Sequence, residues 1–250
     1  MTTADLIAPP AVAVRSAGPS LPRLTALELR KSLSTRSGHV VTMIAYMMAP
    51  HMVPVLLANG TPLGDASAML AELGKWTGLV LLAIGVLSTA GEWTHRTYQG
   101  TFLAVPRRER VLAAKALAMA LLGAACTAFG MVSAVAILAV WGPPMTWAPV
   151  LTTIAVTSLG GAAFTVVGAG VGAAAGNAAA ALTGAYLTLF IVPPVLSRFS
   201  PLLGELTDLG GAVTQLATGA SSAVHVITIA LWLTTTAVAG LLVTRRRAVA

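Results

Sequence analysis

Long apolar runs alternate with short breaks that carry nearly all of the charge in this chain. A helix that crosses a bilayer needs roughly 20 mostly apolar residues at 1.5 Å rise each. Runs of that kind predict spans at residues 40–58, 116–140, 148–175, 178–196 and 223–243. A sixth span, 72–92, is less even, because its uninterrupted apolar run reaches only from Trp76 to Gly91. Trp76 and Trp93 flank that run about 25 Å apart at helical rise, the spacing of an interfacial aromatic belt. Glu72 and Lys75 stand three positions apart and extend the same helix outward as a pair.

The breaks have their own chemistry. Asn59-Gly60 and Pro62 end the first span, and Trp141-Gly142-Pro143-Pro144 ends the third. Residues 148–196 hold no charged side chain, and Gly176-Asn177 is their only turn signal, so a tight turn is placed there. Pro193-Pro194 predicts a kink or an end in the fifth span. In 198–222, Leu202, Leu203, Leu206, Leu209, Val213 and Leu216 recur in a partly apolar rhythm. They predict short helices half-sunk in the outer interface. Ahead of the first span, Pro22 to Ser37 predicts a basic amphipathic helix in the interface plane, with Leu24, Leu27 and the stem of Lys31 on one face. Residues 1–21 read as a disordered cytoplasmic tail. They are not a secretory signal, since no basic residue precedes Arg15 and Pro9-Pro10 interrupts the only apolar patch. The expected fold class is all-α integral membrane. It is one domain, 22–247, with six transmembrane helices and an N-terminal interfacial helix.

Composition agrees with lipid as the solvent. Hydrophobic residues make up 56% of the chain and charged ones 9%, against about 25% charged in an average soluble domain. The net charge of +7 would suggest nucleic acid in a soluble protein. Here the basic residues follow the spans. With the N-terminus inside, every one of the 15 Lys and Arg residues except Lys75 and Arg198 falls on the inner side. The positive-inside rule then predicts both termini cytoplasmic; the expected location is the plasma membrane, with no nucleic-acid partner.

Recognisable catalytic chemistry is missing. The sequence holds no Walker A, HExxH, CxxC or GxSxG pattern. Between their ends the spans carry almost no Asp, Glu, Lys or Arg, which counts against a proton pump, a sodium symporter or an embedded hydrolase. Cys126 reads as a core thiol. His39, His95, His51 and His225 read as interfacial packing residues. Met43 and Met47 could pass Cu(I), but thioethers serve more often as adaptable packing, so no metal site is assigned. Gly168, Gly172 and Gly176 recur every four residues and predict close helix packing, within the chain or between chains.

The most polar internal stretch is EWTHRTYQGTFLAVPRRERVLAAK, residues 92–115. An acidic residue closes one span, aromatics and a proline follow, then a basic cluster, and Lys115 opens the next span. Exposed aromatics on such a loop suit a groove on a soluble partner. Through Glu92, Thr97, Thr101, Pro106, Arg107, Arg108 and Lys115 the stretch resembles the loop between spans 2 and 3 of ABC-2 type permeases, the membrane subunits of ATP-binding-cassette exporters. The layout over residues 22–247 is similar too. The resemblance implies a permease subunit, not an enzyme, that works in export, and the nearly polar-free spans 3 to 5 suggest a hydrophobic or amphipathic substrate. Its loop would contact a separate ATPase subunit through Glu92, Thr97, Tyr98, Thr101, Phe102, Pro106, Arg107 and Arg108. ATP and Mg would sit on that partner, leaving this chain without a cofactor, and a second permease copy or related chain would complete the assembly. The alternative is an ATPase-independent carrier or channel, for instance for a metal ion.

Overall fold

A computed structural model describes residues 19–60, 64–95, 97–98, 107–220 and 222–247. Among them run α1 (Leu21–Ser34), α2 (Arg36–Ala58), α3 (Ala66–Thr94), α4 (Arg108–Trp141), α5 (Val150–Ala175), α6 (Ala178–Ser197), α7 (Pro201–Thr207), α8 (Leu209–Ala217) and α9 (Ala223–Arg246). Helices α2, α3, α4, α5, α6 and α9 are long and apolar enough to cross a membrane. The chain is a multi-pass α-helical membrane protein. Most of the expected tail, 1–21, lies outside the described residues.

Helix ends follow local chemistry more than hydropathy. Thr35 is extended and separates α1 from α2, while its side chain accepts from the Gly38 amide at 3.0 Å. Arg36 and Ser37, expected to close the first helix, therefore open the second. Asp65 caps α3 by accepting from the Ser67 amide at 2.8 Å, which starts that helix well before residue 72. Glu72 and Lys75 do pair there, at 2.5 Å. The turn between α5 and α6 lies at Gly176-Asn177. Gly176 sits at φ +66°, a left-handed position that suits glycine, and Asn177 caps α6 through the Ala180 amide at 3.0 Å.

Pro193-Pro194, expected to kink or end the fifth span, lie inside α6, which ends three residues later at Ser197. Helix α1 buries Leu24, Thr25 and Glu28 in the protein, while Leu27 is 53% exposed. Residues 209–217 do not lie half-sunk on an outer surface. Helix α8 buries Leu209, Ala212, Val213 and Ala217 in the protein, with Val213 against Gly160 of α5. Short helices leave carbonyls without partners, and hydrocarbon supplies none. Neighbouring spans supply them instead. Thr153 donates to the Ala217 carbonyl at 2.9 Å, Thr228 to Glu205 at 3.0 Å, and the Trp232 indole to Thr207 at 3.1 Å.

Small residues bring the long helices together. Helix α3 lies against α5, with Gly85, Gly168 and Gly172 at the crossing and Phe164 seated on Gly78. Thr165 of α5 donates to the Met119 carbonyl of α4 at 2.9 Å. Tyr186 of α6 donates to the Leu79 carbonyl of α3 at 2.8 Å. Leu151, Leu159 and Phe129 point outward and are exposed, as lipid-facing side chains are.

Alternation of the long helices collects the N-termini of α2, α4 and α6 and the C-termini of α3, α5 and α9 at one end. Contacts among Lys115, Arg108, Arg247, Glu28 and Glu92 mark this basic end. At the opposite end a short bridge joins the segments ahead of α3 and α5: Thr146 donates to the Gly64 carbonyl and the Ala66 amide to Thr146, both at 3.1 Å.

Candidate functional site

Lys115 is the most deeply buried charge at the basic end. It lies two turns inside α4 and is 3% exposed. A lone ammonium there would be costly, so it must be paired. Its Nζ meets Glu28 Oε2 of α1 at 2.5 Å, Glu92 Oε1 of α3 at 2.7 Å and the Ser88 carbonyl at 3.1 Å. Hydrogen bonds reach Ser88 and Glu92, while Glu28 Oε2 is held by charge without a hydrogen bond. Lys31 of α1 adds a second ammonium on Glu92 Oε1 at 2.6 Å. Two lysines and two glutamates form a neutral knot that joins α1, α3 and α4 at the base of the 95–107 connection.

A second network binds the same connection from the other side. Arg108, at the start of α4, donates to the carbonyls of Thr244 and Arg247 at the end of α9, at 2.8 and 2.7 Å. Arg247 in turn donates to the Ala173 and Ala174 carbonyls of α5 at 3.2 and 2.8 Å. Cations suit the negative ends of helices, and here Arg108 caps α9 while Arg247 caps α5. The Arg247 guanidinium lies 4.8 Å from the centre of the Trp93 ring, and Trp93 stacks on Tyr98 at 4.1 Å. Glu109 pairs with Arg245. Arg247→Ala should cost about 1–2 kcal/mol, from a lost helix cap and a lost cation–π contact. Thermal unfolding in detergent checks it, and an unchanged midpoint would remove the capping role.

The predicted loop residues divide. Glu92, Tyr98 and Arg108 turn inward and hold the helix ends. Thr97 and Arg107 are exposed. Thr101, Phe102 and Pro106 lie outside the described residues. Arginines at a helix N-terminus oppose the helix dipole, so Arg107 and Arg110 at the start of α4 serve the topology of the chain and not the stability of that helix. Of the glycines, Gly168 and Gly172 face the α3 backbone within the chain, whereas Gly176 forms the α5–α6 turn beside Arg247.

Sequence reasoning missed the partnership of Glu28 and Lys115. A signal was present. Leu24, Glu28 and Lys31 are spaced four and three apart on one face of α1, and a glutamate on the buried face of a helix requires a cation. His39 and His51 are exposed, and His225 contacts the Ala220 carbonyl and Ser222. Among the described residues no three His, Cys, Asp or Glu side chains gather as a metal site.

The geometry defines a six-span membrane protein with a polar connection fastened at one end. Neither protein-family models nor curated protein sequences match this chain.

Proposed function

We propose that this chain is the permease subunit of an ATP-binding-cassette exporter of the ABC-2 type. It moves a hydrophobic or amphipathic substrate with ATP hydrolysed on a separate subunit. The observation that carries the reading is the stretch from Glu92 to Lys115. It combines the ABC-2 resemblance with a base fixed to three helices, so a push on the connection reaches α1, α3 and α4 together. Arg107 and Arg110 offer positive charge to a partner's acidic groove. The basic end is cytoplasmic, in the plasma membrane, with α1 as an amphipathic helix in the interface. A second permease copy or related chain completes the assembly, and residues 22–247 act as one permease domain. Mostly apolar span walls suit a lipid-like cargo better than a highly charged one.

Affinity purification of the tagged chain from native membranes should recover an ATPase that carries a Walker A motif. A Phe102→Ala/Arg107→Ala/Arg110→Ala variant should insert normally and lose most of the stimulated hydrolysis. Transport by the isolated chain in liposomes, with no ATPase, would replace this reading with an ATPase-independent carrier or channel.

A further inference from the structure

Helices α4 and α9 both lie on α5 and are tied to each other again at the basic end. Gly123 of α4 approaches Gly161 of α5, and Gly240 of α9 approaches Gly170 and Ala173. At the basic end Arg108 donates to the Thr244 and Arg247 carbonyls, and Glu109 pairs with Arg245. Between the crossings and these ties lies a slot of about 230 Å³. Ala113 and Ala116 of α4, Gly170 and Ala173 of α5, and Ala237 and Leu241 of α9 line it. Ala113 and Ala237 are exposed, as are Leu117 and Val238 beside them. The slot therefore opens sideways, where spanning helices meet lipid. Lys115 and Glu109 also line it, but the Lys115 ammonium is matched within its neutral knot and Glu109 is matched by Arg245.

Glu109 is shared with a second cavity, of about 440 Å³, which forms the mouth of the slot together with Arg107, Arg108, Arg110 and Arg245. Four guanidinium groups stand there against one carboxylate. The Lys115 knot has two lysines and two glutamates, so including it leaves the same excess of positive charge. Among the described residues no carboxylate stands within ion-pair distance of Arg107 or Arg110. Basic pockets between spans suit anionic lipid headgroups, and an apolar slot beneath one suits an acyl chain.

We propose that the slot between α4 and α9 binds a phospholipid with an anionic headgroup. One acyl chain lies along α5 between Ala113 and Ala237, and the phosphate sits at the mouth against Arg110 and Arg245. The site requires only that the chain spans a membrane, and does not rest on the proposed permease function. A partner that covered Arg107 and Arg110 would compete with the headgroup, so the chain alone is the state to test.

Native mass spectrometry of the full chain in detergent, with no ATPase present, tests it. The probes are phosphatidylglycerol and phosphatidylcholine of matched acyl chains, and inorganic phosphate alone. The wild type should retain phosphatidylglycerol. Arg30→Gln removes an exposed charge from α1 at the same end and should retain it equally. Arg110→Gln should weaken retention roughly fivefold, the effect of one basic group beside an anionic lipid, and Arg110→Lys should restore most of it. Ala113→Phe/Ala237→Phe should fill the slot and displace the lipid with no change in charge, whereas Val238→Phe, outside the slot on α9, should not. Should the double variant fail to fold, Ala237→Phe alone takes its place. Phosphatidylglycerol held as well by Arg110→Gln or by the slot-filled protein as by the wild type overturns the proposal. So does an equal loss in Arg30→Gln, which would mean general surface charge, and so does equal retention of phosphatidylcholine. Inorganic phosphate that binds as tightly as the lipid would also overturn it, in favour of a soluble anion.

Discussion

Replacing Lys115 with methionine should destabilise this protein by about 3–5 kcal/mol, the usual effect of removing one partner of a buried ion pair. Methionine fills nearly the same space, so the loss is electrostatic and not a cavity. Two carboxylates would remain, Glu28 at 6% exposure and Glu92 with its side chain at 13%, with only Lys31 between them. They would repel, and one would have to take up a proton or move to water. Either response pulls α1 away from α3 and α4.

The proof lies in the compensated variant. Glu28→Gln/Lys115→Met/Glu92→Gln removes every buried charge of the knot except that of Lys31, which is 39% exposed by its side chain and can turn to solvent. Buried ion pairs often match apolar replacements in stability, so the triple variant should recover most of what Lys115→Met loses. Lys75→Met, at the opposite end, removes a comparable short pair with Glu72. Both of those side chains are substantially exposed, so its effect should stay below about 1 kcal/mol. Unfolding in mixed detergent micelles measures all three. A Lys115→Met protein as stable as the wild type would show that the knot does not hold the helices. Under the proposed function, the triple variant is also informative in transport. It should fold, yet transmit less from the 95–107 connection to α1, because the ionic tie between them is gone.

Long apolar runs were legible because hydrocarbon demands them whatever their neighbours are. That is why six long helices and the Gly176-Asn177 turn could be placed from sequence. Helix ends were less legible. Asp65 and Thr35 set them by capping, and a cap is a local hydrogen bond that hydropathy does not register. The burial of α8 was hidden for another reason. Its Leu209 and Val213 read equally well against lipid or protein, and only Thr153 and Gly160 on a distant span decide it. The ion knot needed residues 28, 92 and 115 together. Each alone looked like the polar end of a helix. Their meeting depends on how α1 turns at Thr35, which no spacing rule contains.

Gly85→Leu or Gly168→Leu should be the most damaging apolar substitutions, each costing about 3 kcal/mol or more, at or above the usual range for overpacking. The two glycines lie at one α3–α5 crossing, Gly85 against Thr165 and Ala169, Gly168 against Leu82 and Val86. A Cβ at Gly85 would stand 2.1 Å from the Thr165 carbonyl oxygen, and one at Gly168 would stand 2.2 Å from the Leu82 carbonyl oxygen. Both obstacles are backbone, so no rotamer relieves them and the helices must part. Alanine at either site should already destabilise, despite its helix propensity advantage of about 1 kcal/mol over glycine. Gly184→Ala is the contrast. Nothing lies within 4 Å of its Cβ, so the same exchange on α6 should be neutral or slightly stabilising. The Gly85→Ala/Gly168→Ala double variant should lose less than the sum of the singles, because helices already parted by one methyl leave room for the second. A fully additive result would mean that the two sites do not share one crossing. Parting α3 from α5 also moves the α3 C-terminus, which carries Ser88 and Glu92 into the knot around Lys115. Close packing at the α3–α5 crossing and the ion knot at the basic end therefore stand or fall together. In a Gly168→Ala background, Lys115→Met should accordingly cost less than it does in the wild type.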